Sequence, residues 1–172
     1  MSRIAPWLVI TIMIGSLALS GWQSQRHVLV PPASRLVNAK TDALIKGATR
    51  VQTFRIEPMQ LNRTPAIQGY KILATGKVQG KTFTSRLIQA LFVPKNPHSL
   101  AQACFRPGVA FRLWNGKRAI DVLTCFQCNN IEVFAPTLKD GSGDIPMDAS
   151  RLPLIRLVKA VFPNDKEIQA IR

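Results

Sequence analysis

Acidic side chains are scarce in this sequence: nine Asp and Glu stand against 23 Lys and Arg, for a formal net charge of +14 over 172 residues. Such an excess favours anionic partners, whether phospholipid head groups, cell-wall polymers or nucleic acid, and fits equally a basic soluble surface with no partner. Nucleic acid is the least favoured, because there is no recognition-helix, zinc-finger or aromatic RNA-binding signature. Histidine is scarcer still. Only His27 and His98 are present, the first in a polar connecting stretch and the second in a Pro-rich loop, so a hydrolytic triad has no well-placed base. Paired carboxylates do not replace it, since Asp121 and Glu132 read as outward-facing strand residues. Gly76 to Lys81, GKVQGK, lacks the GxxxxGK[ST] spacing of a phosphate loop and reads as a turn. Asp140, Asp144 and Asp148 lack the ligand positions and terminal Glu of an EF-hand and read as a solvated loop. These residues support no enzyme class, and no internal repeat or low-complexity segment is present.

Charge is also missing from the start of the chain, where Arg3 is the only charged side chain before Gly21. Residues 1–22 therefore read as a secretion signal or a single transmembrane anchor. Ala18 and Ser20 suit the small-residue positions of a signal-peptidase site. The apolar run is just long enough to span a bilayer, with Trp7 and Trp22 near its ends. In both cases the remainder is expected in the cell envelope, on the extracytoplasmic side, with the N-terminal segment as its contact to the membrane. There is no lipobox cysteine. Residues 23–48, with Pro31-Pro32 and scattered Arg26 and Arg35, read as a tether that holds at most a short helix over Lys40 to Ala48. Residues 49–172 are left as the folded domain.

Three cysteines occur, all in the stretch from Cys104 to Cys128. Asn115-Gly116 lies between two apolar runs and suits a two-residue type I′ hairpin turn. Counting from that turn pairs Leu113 with Arg118, Phe111 with Ile120, Val109 with Val122 and Phe105 with Phe126. Alternation then puts Val109, Phe111, Ile120, Val122 and Phe126 on a core face and turns Arg112 and Asp121 away from it. In this register Cys104 is opposite Gln127, diagonal to Cys125 and one step from Cys128. Three readings follow. One is a structural disulfide from Cys104 to Cys125 or Cys128, with the third cysteine a buried thiol. Another is a reactive CxxC at Cys125 and Cys128, with Arg106 near enough to lower a thiol pKa, although no helix start follows the pair. The third is zinc or another thiophilic metal held by Cys104, Cys125, Cys128 and His98. The first needs no cofactor.

The remaining elements follow from period and punctuation. Val51 to Glu57 alternates as a strand and is expected to end at Pro58. Ile67 to Val78 is a second strand, interrupted by Gly69 and Gly76. From Thr82 the apolar residues recur at helical spacing until Pro94 to Pro97. Lys139 to Asp148 reads as a loop. Ser150 is expected to cap a helix carrying Leu154, Leu157, Val158 and Val161. Asn164 and Glu167 resemble a capping box for a last short helix. The predicted fold class is α+β: a small antiparallel sheet built on a central β-hairpin, covered on one face by two or three helices and preceded by the hydrophobic leader.

The run ACFRPGVAFRLWNGKRAIDVLTCFQCNNIEVF resembles the hairpin of a group of exported or membrane-attached bacterial proteins with no established activity. Members carry a Cys, often followed by a Pro and an apolar strand, and then a CFxC on the returning strand. LVKAVFPNDKEIQAIR is similar to their C-terminal close, so the likeness covers roughly the last 70 residues. It implies an α+β domain and an envelope location, and it brings no catalytic residue. Several of those proteins have a lipoprotein-type leader, where this chain has Ser20-Gly21.

Overall fold

Two glycine turns and one cysteine turn set the strand pairing. The computed structural model describes residues 36–60, 64–94 and 104–172. Among them, strand β1 (Arg50–Gln60), β2 (Ala66–Ile67), β3 (Tyr70–Thr75), β4 (Val109–Asn115), β5 (Arg118–Cys125), β6 (Asn130–Phe134) and β7 (Gly143–Pro146) form one antiparallel sheet. Its spatial order is β2-β3-β1-β4-β5-β6-β7. The helices are α1 (Ala39–Lys46), α2 (Lys81–Leu91), α3 (Arg151–Val161) and α4 (Lys166–Ala170), with a single 3-10 turn, Asp148–Ser150, ahead of α3. The chain is thus α+β, as its sequence pattern predicts.

The central hairpin is β4–β5, with the turn one residue later and the partners two residues out of the predicted register. Asn115 pairs with Arg118, and Phe111 with Val122. The turn residues are therefore Gly116 and Lys117, and only Gly116, at φ 60, has a positive φ, the pattern of a type II′ turn. A shift of two in pairing leaves the faces unchanged. Val109, Phe111, Ile120, Val122 and Phe126 all lie in the main core, as expected. The type I′ pattern, with both turn residues at positive φ, occurs instead at Gln68-Gly69 between β2 and β3.

The main core lies between one sheet face and the helices. Leu44 and Ile45 of α1, Leu87 and Leu91 of α2, Leu154 and Val158 of α3 and Ile168 of α4 are buried there. Each side chain of this size stabilises the fold by roughly 1.5–3 kcal/mol when fully buried. An eight-residue helix such as α1 is marginal by itself, so its place depends on this packing and on caps. The Asn38 side chain accepts from the Thr41 amide at 2.9 Å. Asp42 accepts from the Leu36 and Val37 amides. The expected tether over 23–48 is corrected from Leu36 onward: the short helix expected there is α1, and Leu36, Leu44, Ile45 and Ala48 are buried in the main core, too few and too scattered to show it by periodicity.

Other expectations are corrected by bulges and short strands. Pro58 does not end β1, which runs on to Gln60 through a register shift against β3; a bulge asks no ladder amide of proline. The loop predicted over 139–148 contains β7. The strand returning from the hairpin stops at Cys125, and β6 is a separate strand. Ser150 is buried and makes no side-chain cap for α3. The N-cap of α4 is Asp165, not Asn164, and its carboxylate accepts from the Ile168 amide at 3.0 Å.

The second sheet face carries no helix among the described residues, yet it is not a plain solvated face. Phe54, Ile56, Ile67, Ala110 and Leu123 form a smaller buried cluster there. Gln68, in the β2–β3 turn, donates to Asp121 on β5 at 2.7 Å. In a flat sheet β3 and β5 lie roughly 14 Å apart, three strand spacings, so the sheet curls and this face is its concave side. No described helix is long and apolar enough to cross a membrane. Residues 1–22, where the leader or anchor is predicted, lie outside the described residues.

Candidate functional site

Cys125 is the last residue of β5 and pairs with Asn130, the first of β6. The four residues between them form a turn in which Asn129 takes φ 52. Cys125 and Cys128 are joined by a disulfide across this turn, with Cα atoms 5.3 Å apart. The Cys128 amide also donates to the Cys125 sulfur at 3.0 Å. Phe126 points into the main core, while Gln127 is exposed at the apex. The CxxC is therefore a staple that closes a β-turn.

The expected crosslink from Cys104 to the later pair is corrected. Cys104 is a free thiol and exposed. The expected pairing requires the returning strand to continue through Phe126, whereas β5 ends at Cys125 and the chain turns there. His98 lies outside the described residues. Two of the four expected ligands, Cys125 and Cys128, are bonded to each other in this structure. Among the described residues no three His, Cys, Asp or Glu side chains gather closely enough to hold a metal ion.

Exchange chemistry at the pair is also hindered. A thiolate must reach a disulfide sulfur to open it, but Cys125 is 0% and Cys128 2% exposed. The element that follows the pair is strand β6 and not a helix.

Beside the turn lies a cleft of about 180 Å³, lined among others by Arg55, Arg106, Phe126, Gln127, Glu167 and Ile171. Its floor is a clamp. Arg55 Nη1 donates to the carbonyls of Ile56 and Gly108 at 2.8 and 3.0 Å. Nη2 bonds Glu167, and Nε lies 3.5 Å from Asp165. The Arg55 side chain is only 8% exposed, so it fixes α4 to β1 with nearly all its donors spent. Glu167, expected in a capping box, is used here instead. Arg151 makes a parallel tie, bonding the Phe126 carbonyl and, at 2.6 Å, that of Arg172. Its guanidinium lies 5.9 Å from the Phe126 ring centre.

The concave face holds the polar groups that sequence reading missed. Asp121, expected to be solvated, is buried and receives Nε and Nη2 of Arg112 at 2.7 and 2.8 Å. This hydrogen bonding raises the Arg112 pKa, against the opposing effect of burial. Burial raises the Glu132 pKa, and Asp144, its register partner on β7, adds to the shift. Burial also raises the Tyr70 pKa, with the Glu132 charge second. Alternation turned Arg112, Asp121 and Glu132 away from the core, but only the curl brings Tyr70 of β3 toward Glu132 of β6. Set against known protein families, characterised proteins and solved structures, the chain has no match.

Proposed function

We propose that the chain is a non-catalytic domain of the cell envelope, exported through residues 1–22 and either released by cleavage or kept at the membrane by them. The disulfide turn serves as its structural staple. The observation that carries this reading is the buried Cys125–Cys128 bond, since disulfides form and persist mainly in oxidising compartments outside the cytosol. The nearly uncharged N-terminal stretch and the basic surface, suited to anionic envelope material, support it independently. Reporter fusions after Arg172 test it. Alkaline phosphatase should be active there and β-galactosidase inactive, and the reverse pattern contradicts the envelope location. A pair reduced by glutathione in the native domain would favour thiol exchange over a structural role.

A further inference from the structure

Three elements end together at the tip of the β4–β5 hairpin. The Asn115 side chain donates to the Leu44 carbonyl near the end of α1 at 3.2 Å. The Thr49 amide donates to the Trp114 carbonyl at 3.0 Å. Lys46, the last residue of α1, sits over the ring of Phe92 at the end of α2, 4.4 Å from its centre. Arg50 pairs with Trp114 across β1 and β4 and stacks on its indole at 4.9 Å. Lys117 in the turn and Arg118, the first residue of β5, are exposed. Four cations and a half-buried tryptophan thus surround one end of the sheet.

None of these four cations forms an ion pair among the described residues. The acidic residues nearest to them in sequence, Asp42 and Asp121, are both committed. Asp42 accepts from the Leu36 and Val37 amides at the other end of α1, and Asp121 holds Arg112 and Gln68. The tip therefore presents uncompensated positive charge. Two of its cations are held in place by aromatic rings, which costs little when they meet an anionic surface.

We infer that this tip docks on the anionic head groups of a phospholipid bilayer, a proposal that rests on the envelope reading. The occupant is chosen by charge, by the tryptophan and by reach. Cations near an anionic leaflet each contribute roughly a fivefold gain in binding, and Trp side chains favour the interface. The described domain begins at Leu36, ahead of α1. The tip is about 12 Å from there along a helix of eight residues. The chain from Gln23 to Arg35 spans at most about 45 Å when extended, so a membrane reached by residues 1–22 is within range of the tip.

The test uses the full chain in phosphatidylcholine vesicles with and without phosphatidylglycerol, read by hydrogen exchange and mass spectrometry. Amides of 114–118 and 46–50 should exchange several-fold more slowly when the anionic lipid is present, and high salt should abolish the difference. In Lys117→Gln/Arg118→Gln the tip's binding should weaken about 30-fold, with exchange of the core amides of β5 unchanged, which shows that the fold persists. Equal exchange in both vesicle types overturns the proposal. So does protection by a soluble polyanion without protection by anionic vesicles, which would assign the tip to a polymer. Because purified chain is used, this result does not depend on where cells place the protein, and the reporter fusions judge the envelope reading separately.

Discussion

Cys128 follows Cys125 by three residues, so their bond closes a very short loop. On the chain-entropy view, loops of this length contribute about 2 kcal/mol. Cys128→Ala should therefore lower the unfolding free energy by about 2 kcal/mol in urea, and Cys104→Ser, on an exposed free thiol, should change it by less than about 0.5 kcal/mol. Comparable losses at both positions would contradict the pairing. Glu132 gives a second expectation. Its pKa is raised, first by burial and then by Asp144, so the folded state holds this proton more tightly than the unfolded chain does. Ionising it costs stability as pH rises from the unfolded pKa through the folded one, and below the unfolded pKa the cost disappears. Glu132→Gln should raise the unfolding midpoint at neutral pH, with the gain shrinking to nothing as pH falls below the usual Glu range. A gain that is independent of pH would show that ionisation is not its cause.

At the scale of elements, the hairpin depends on a residue that tolerates φ 60 at Gly116. Gly116→Ala should cost about 1 kcal/mol, and its hydrogen-exchange signature should be loosened ends of β4 and β5. Asp165→Ala removes the cap of α4 and one carboxylate beside Arg55, so it should cost about 1 kcal/mol and speed amide exchange in 166–170. The hairpin was legible because Asn-Gly between apolar runs signals a turn and because side-chain parity survives a shift of two residues. The separate strand β6 was not, since Phe126 continues the apolar alternation, while the reversal falls in the next four residues, where Cys125 and Cys128 are bonded and Asn129 takes φ 52. Pro58 misled for a related reason, because a bulge against β3 removes the need for its missing amide. The cap of α4 is ambiguous in sequence because Asn164 and Asp165 are both good caps; in the fold Asp165 accepts from the Ile168 amide.

For the whole molecule, α+β class and the helix-covered face could be read from period alone. The curl could not, since it depends on contacts between strands distant in the sheet, such as Gln68 with Asp121. That curl converts an expected solvated face into a concave one with its own buried cluster and raised pKa values. The cysteines, which the sequence places together, are divided by the fold into a closed pair and an exposed thiol, and this division underlies the staple and the envelope reading alike. The most direct test is mass spectrometry of full chain recovered from producing cells, alkylated before and after reduction. The account predicts one alkylated site before reduction, Cys104, and three afterwards. Three alkylated sites before reduction, or a blocked Cys104 beside a free Cys125 or Cys128, would contradict it.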